Sequence, residues 1–318
     1  MSPIEVELTG ANGDIFPTLT TWGWEIALYL FLGGLVAGLM MLSSVVRLTR
    51  SERFPTLLKV ADLAGAPLLA LGLFMLLFDL TQLGHVWRLY VTFQISSPMS
   101  WGAWILLIAM GVLALWFVAR LPAQAPRLGK RTLPAGPWRL ISRLGGWVRA
   151  HARGLAVVTL LLGVGVGFYT GLLLSTIPAR PAWNSAALAP LFLISGLATG
   201  GAFACLFIPH DEHLRLVPVS IAACLIEFAL LAVFVLTLAD GNAAAQRAGV
   251  ILTTGTIGVA LLLGTLTLGL LVPATVETFD ALRRPLRFIP ARLPPLLKLA
   301  GGVVLRLAIV YAGIQSFV

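Results

Sequence analysis

The 318-residue chain is 58% hydrophobic and only 11% charged, with a formal net charge of +9 from 22 Lys and Arg against 13 Asp and Glu. A soluble domain of this length needs far more polar surface, so the composition excludes soluble enzymes and binding modules and defines a polytopic membrane protein. In lipid only helices and closed barrels satisfy the backbone, and long apolar runs without period-two alternation leave helices, so the expected fold is all-α.

Met1 to Thr21 reads as a short acidic tail without the basic region or cleavage site of a signal peptide. The first predicted span, 22–46, carries Glu25 just after Trp22 and Trp24, then Gly34 and Gly38 at the spacing of close helix packing. The second, 60–82, closes on "FDLTQLGHVWRLY" (78–90), where Asp79, His85 and Arg88 gather at the end of an apolar run. The third, 100–119, opens with Trp101 and Trp104. The connection 120–153 follows, and in it "GPWRLISRLGGWVRAHARG" sets Trp138, Ile141, Leu144 and Val148 near one helical face with Arg139, Arg143 and Arg149 away from it. That pattern predicts an anchoring helix lying on the membrane surface.

The fourth span, 154–176, carries Gly163, Gly167 and Gly171, again at packing intervals, and Tyr169 roughly 10 Å inside its end at 1.5 Å per residue. Trp183 and Asn184 lead into the fifth, 187–208. The sixth (216–239) and eighth (296–317) hold Glu227 and Arg306 near their centres, with 248–272 as the seventh. A charge at that depth is costly unless paired or hydrated, so these two are expected to pair with each other or with water, either as a purely structural feature or as a stage in a proton path. Cys205 and Cys224 fall inside spans with no CxxC spacing and read as small core residues.

With eight spans the loops alternate between two faces. One collects Arg47, Arg50, Arg53, Lys59, the basic run of 120–153, Arg215, Arg283, Arg284, Arg287, Arg292 and Lys298, whereas the other holds only Arg88, Arg180 and Arg247. The positive-inside bias makes the first face cytoplasmic and both termini external. It also accounts for the net charge, with anionic lipid and without nucleic acid.

Glu25, Asp79, His85, Arg88, Tyr169 and Asn184 all fall toward the external face. Singly, each has an ordinary reading: Asp79 as a helix cap, Arg88 as an interfacial anchor, and Trp22, Trp24, Trp101, Trp104 and Trp183 as an aromatic belt. Together, carboxylates, an imidazole, a phenol and an amide at one end of one bundle suit a small polar headgroup arriving from lipid. Of the histidines, His85 is external and His151, His210 and His213 are cytoplasmic, so none has the depth or spacing of a transmembrane haem pair. No cysteine set suits an iron–sulfur cluster or zinc, so redox chemistry here calls for an organic carrier and a cluster supplied by another subunit.

The runs "WEIALYLFLGGLVAGL" (24–39), "SSPMSWGAWILL" (96–107), "FYTGLLLSTIP" (168–178), "PLFLISGLATGGA" (190–202) and "LRLAIVYAG" (305–313) resemble the NrfD family of integral membrane subunits, which includes the membrane subunit of polysulfide reductase. The resemblance implies a haem-free protein of two four-helix bundles in the bacterial inner membrane, exchanging electrons with quinone (menaquinone or ubiquinone) near the external face. It also implies a ferredoxin-like iron–sulfur subunit on that face, joined to a molybdopterin catalytic subunit or, in other members, to a hydrogenase or multihaem cytochrome. On this reading residues 1–21 are an external tail, 22–119 the first three helices, 120–153 a cytoplasmic loop, 154–176 the helix completing the quinone-site bundle, and 187–317 the second bundle. Glu25, Asp79, His85, Arg88 and Tyr169 become its quinone-site candidates, and Glu227 and Arg306 match the intramembrane charges for which proton conduction has been proposed.

In the mechanism expected from these groups, Tyr169 and His85 bind the headgroup oxygens, Asp79 or Glu25 accepts protons, and Arg88 holds a carboxylate ionised or seats the partner. Two other classes compete. A secondary transporter would use Glu227 and Arg306 at the midplane but calls for a repeat between residues 1–153 and 154–318, which the sequence does not display. An inert anchor would leave the external polar cluster idle.

Overall fold

The computed structural model describes residues 22–79, 87–91, 93–94, 97–124, 135–177, 179–282 and 289–316. All regular structure among them is helical. The helices are α1 (Trp24–Thr49), α2 (Pro55–Asp79), α3 (Arg88–Val91), α4 (Pro98–Gln124), α5 (Ala135–Ala150), α6 (Ala152–Ser175), α7 (Leu188–Cys205), α8 (His210–Ala239), α9 (Ala243–Thr253), α10 (Gly255–Ala281) and α11 (Leu293–Gln315). Eight of these, all but α3, α5 and α9, are long and apolar enough to cross a membrane.

α1 is nearly enclosed, packing on α2, α6, α7 and α11. Its glycines explain how one helix can serve so many neighbours. A Cβ on Gly196 would sit 2.7 Å from the Gly34 carbonyl oxygen, and one on Gly200 would sit 2.7 Å from the Gly38 Cα, so α1 and α7 cross backbone to backbone. Gly163 fits against Met40 and Ala37 of α1, while Gly171 fits against Leu188 and Ala189 at the start of α7. The small faces expected from the four-residue glycine spacing are therefore helix contacts.

The seventh span departs from the expected 248–272. Asn242 caps α9, its Oδ1 accepting from the Ala245 amide at 2.9 Å, and α9 stops at Thr253. Gly255 then takes φ +60°, a left-handed conformation that costs a glycine little, and the chain restarts as α10. From Ala260 to Leu271 this helix widens into π geometry, with Thr267 Oγ1 donating to the carbonyl five residues back, Leu262, at 2.9 Å. It runs on to Ala281 past the apolar stretch because Glu277 finds a buried partner in Lys298 of α11.

α5 is the amphipathic helix expected in 120–153, with Arg139, Arg143 and Arg149 exposed. Its apolar edge is not given wholly to lipid. Val148 is fully buried against Val112 and Trp116 of α4, Gly145 lies against Ala119, and Leu140 and Trp147 remain exposed.

At the basic end, Asp62 of α2 pairs with Arg47 of α1 and, at 2.7 Å, with Arg120 of α4, while the Arg47 guanidinium stacks 3.7 Å over Trp116. Glu212 of α8 caps α2 from outside, accepting from the Thr56 and Leu57 amides at 3.0 Å each, where a carboxylate also favours the helix dipole. At the opposite end, Arg180 donates to the Gly313 and Ile314 carbonyls and so closes the C-terminus of α11.

Candidate functional site

A cavity of about 490 Å³ opens among the ends of α1, α2, α4 and α6 that lie opposite the basic face. Each wall follows from helical spacing. Trp22 comes from just before α1 and Ile26, Tyr29 and Leu30 from its start, while Met99, Ala103, Leu106 and Met110 form one stripe of α4. α2 gives Ala70, Leu73, Phe74, Leu76 and Leu77, α6 gives Tyr169, Leu173 and Leu174, and Tyr90 of α3 stands at the mouth. From Met99 to Met110 the α4 wall alone extends about 16 Å into the bundle. Phe74 of α2 and Met99 of α4 are half exposed, so the cavity wall reaches the protein surface at these two helices.

The polar groups of the walls are three phenols and the indole N–H of Trp22. Tyr29, Tyr90 and Tyr169 line the same cavity, with Tyr29 and Tyr169 buried and Tyr90 edge-on to Trp104 at 6.5 Å. The Tyr169 ring rests directly on Gly102 of α4, where any Cβ would coincide with the phenol. The remaining walls are aliphatic, aromatic or thioether, a lining suited to a planar amphiphile with few hydrogen-bonding atoms.

Of the residues singled out in the sequence, Tyr169 lies in this cavity. Glu25 sits on α1 beside the lining face, its carboxylate turned back against Gly23. Asp79 ends α2 and Arg88 begins α3, but their side chains, and His85 altogether, lie outside the described residues. Asn184 lines a different cavity, of about 720 Å³, between the start of α7 and the junction of α8 with α9, in company with Ser185, Thr237 and Asn242. The two cavities share no lining residue, and Trp183, the neighbour of Asn184 in sequence, is fully buried, lies 5.1 Å from Trp22 in a tilted ring contact and donates from Nε1 to the Ile309 carbonyl at 2.8 Å. Trp183 is thus a core residue and no part of an aromatic belt, whereas Trp24, Trp101 and Trp104 are exposed.

The expected ion pair between Glu227 and Arg306 is not formed. α7 packs against both α8 and α11, and its Ser195 stands between the two charges, accepting from Arg306 Nη1 and facing the Glu227 carboxyl. Arg306, with no exposed surface, also donates to the Gly302 and Phe192 carbonyls and lies 5.0 Å from the Phe192 ring centre. The buried pair of this half is instead Glu277 with Lys298 at 2.6 Å, and Ser220 is bonded to both.

Asp62, Glu277, Tyr29 and Tyr90 did not stand out in the sequence. Asp62 lies within a predicted span, which was signal enough to ask for its partner. Glu277 fell just beyond the predicted end of the seventh span, so its burial carried no local signal. Among the described residues, no three His, Cys, Asp or Glu side chains gather as metal ligands would. Cys224 is buried, Cys205 is half-buried, and neither is in a disulfide.

Eight helices among the described residues are long and apolar enough to cross a membrane, which marks a multi-pass integral membrane protein. Residues 15–318 match the family described as "Polysulphide reductase, NrfD", and the chain belongs to that family. Over 313 residues it is 32% identical to a component of the polysulfide reductase of Wolinella succinogenes, covering 93% of this chain and 95% of that one. It is also 32% identical over 305 residues to protein NrfD of Escherichia coli, covering 92% and 94% of the two chains. A shorter stretch of 119 residues, 37% of this chain and 29% of the other, is 34% identical to a component of the tetrathionate reductase of Salmonella typhimurium.

Proposed function

We propose that this chain is the quinone-reactive membrane subunit of a respiratory reductase complex, with the α1/α2/α4/α6 cavity as its quinone site. The observation that carries this reading is an apolar cavity whose wall reaches the surface at α2 and α4 and whose polar groups are three phenols and the Trp22 indole N–H. Its volume falls within the roughly 300–1,000 Å³ of small-molecule sites, and its length accommodates a headgroup at the Tyr29, Tyr90 and Tyr169 level with an apolar tail leaving toward lipid. The family, and relatives named as components of polysulfide and tetrathionate reductases, support membership of such a complex.

A quinol supplies two electrons and two protons when oxidised, and a quinone takes them up in the reverse direction. The Tyr169 and Tyr29 hydroxyls donate hydrogen bonds to the two ring oxygens, and Gly102 keeps the Tyr169 ring at its place on the wall. Glu25 and Asp79, both at the same end of the bundle, accept or return protons at the mouth. His85, Arg88 and, from the neighbouring cavity, Asn184 complete the polar rim that faces the partner. The basic face is cytoplasmic, the termini are external, and the chain sits in the bacterial inner membrane as two four-helix bundles, α1/α2/α4/α6 and α7/α8/α10/α11, met at the α1–α7 crossing. Electrons pass to or from a ferredoxin-like iron–sulfur subunit on the external face, itself joined to a molybdopterin catalytic subunit, and the chain carries no haem. Glu227 and Arg306 belong to a proton path through the second bundle.

Tyr169→Phe removes one hydroxyl and leaves the ring on Gly102. It is expected to raise KM for a quinol analogue about tenfold, the worth of one hydrogen bond, with assembly unchanged. Unchanged kinetics in this variant would remove Tyr169 from the site.

A further inference from the structure

The second cavity, of about 720 Å³, differs in kind from the first. Among the described residues that line it, none is aromatic and none is charged: the walls are Ala, Gly, Pro, Leu and Val, with two carboxamides and two hydroxyls. Helical spacing sorts them by depth. Leu230, Val233 and Thr237 fall at intervals of three and four residues on one face of α8, so Leu230 lies about 10 Å deeper than Thr237. Pro190, in the first turn of α7, lines the same cavity, while Asn184, Ser185, Gly241 and Asn242 stand on the connections outside the two helices. The polar side chains thus gather at one end and the apolar floor lies at the other.

The hydrogen-bonding groups at the polar end are only partly used within the chain. Ser185 Oγ and Thr237 Oγ1 lie 3.2 Å apart and join the two walls, and Thr237 Oγ1 donates to the Phe234 carbonyl at 2.7 Å. Asn242 accepts the Ala245 amide at Oδ1, which leaves its Nδ2 as a donor. Asn184 is exposed, and its carboxamide bonds to no described residue. A ligand therefore meets N–H donors from both walls above a floor that is half exposed at Val233. A quinone gains little here, with no ring to stack on and no titratable group to exchange protons with. The chemistry that fits is an uncharged, acceptor-rich group on flexible apolar stems, which is the glycerol-ester region of a phospholipid. The depth agrees: the apolar run of α8 ends at Ala239, so the polar end of the cavity lies where acyl chains give way to ester groups.

We propose that this cavity seats one phospholipid of the leaflet opposite the basic face, its ester carbonyls bound by Asn184 and Asn242 and its acyl chains on Leu230, Val233 and Pro190. The charged headgroup lies beyond the mouth, so the cavity needs no ionised side chain. The lipid fastens the connection before α7 to the α8–α9 corner and adds to the Ser185–Thr237 contact between them. The site stands independently of the quinone assignment.

The test uses the complex purified in mild detergent and a phosphatidylethanolamine that carries a photoactivatable diazirine near the ester end of one acyl chain. The sample is irradiated with and without excess unlabelled phosphatidylethanolamine. Label on residues 179–190 and 230–245, displaced by the competitor, is the expected result. The double variant N184L/N242S removes both carboxamides while the serine keeps a cap on α9. It is expected to need about thirtyfold more lipid for the same labelling, the loss of two hydrogen bonds. Val233→Trp fills the floor without touching a hydrogen bond and is expected to abolish the label; should the double variant not assemble, this one decides the matter. Label that the competitor does not displace, or that is equal in the wild type and the variants, marks bulk lipid at the surface and overturns the proposal. Label that appears only after the partner subunits are stripped away also overturns it, because a protein segment then covers the cavity. So does an azido-quinone that labels these residues in preference to the lipid.

Discussion

Gly38→Val is expected to abolish recovery of folded protein. A Cβ at position 38 would fall within the Gly196 carbonyl group, 2.7 Å from its carbon and 3.0 Å from the Leu197 Cα. Overpacking costs about 1–3 kcal/mol where side chains can shift, and here the opposing atoms are main chain, so the helices themselves must separate. α1 is the helix that α2, α6, α7 and α11 share, so the displacement spreads through both halves. The measurement is the yield of monodisperse protein in detergent and its thermal midpoint, with Gly146→Ala as a control because no atom lies within 4 Å of a Cβ there. A Gly38→Val protein that unfolds at the wild-type temperature would mean that α1 and α7 do not cross this closely.

Glu277→Ala is expected to cost about 3–5 kcal/mol, the penalty for leaving one member of a buried ion pair alone. Lys298 is 1% exposed and Glu277 3%, so water cannot take the carboxylate's place without opening the α10–α11 contact. That contact is itself tight: Gly264 packs on Val304, and a Cβ on Gly269 would lie 2.7 Å from the Gly301 Cα. Thermal unfolding of Glu277→Ala beside the double variant E277Q/K298M separates the two components. The single substitution should lower the midpoint strongly, whereas the double substitution should restore most of it. Equal midpoints in the two variants would contradict a desolvated pair.

Most of the fold was legible because membrane helices announce themselves locally. Twenty apolar residues are visible without knowing any neighbour, and the Gly34/Gly38 and Gly163/Gly167/Gly171 intervals marked surfaces that do meet other helices. The seventh span failed locally as well, since one positive φ at Gly255 divides an apolar run that hydropathy alone joins. Partners across helices were a different matter. Glu227 and Arg306 were both recognised as buried charges, yet the depth that made them conspicuous said nothing about α7 lying between them. Asn184 and Tyr169 lie at the same end of the protein and were joined on that ground, although they line separate cavities with no residue in common. Tyr29 and Tyr90 went unnoticed because a lone tyrosine near a helix end is ordinary, and only the meeting of three phenols around one space gives them meaning.

The most direct test of the quinone assignment is photolabelling. The complex, purified in mild detergent, is irradiated with an azido-quinone, and the labelled peptides are identified with and without excess unlabelled quinone. Label on α1, α4 and α6 around Tyr29, Met99 to Met110 and Tyr169, displaced by competitor and weakened in Tyr169→Phe, is the result expected if this cavity holds the headgroup. Displaceable label confined to the neighbouring cavity at Asn184 and Thr237, or no displaceable label on this chain, would contradict it.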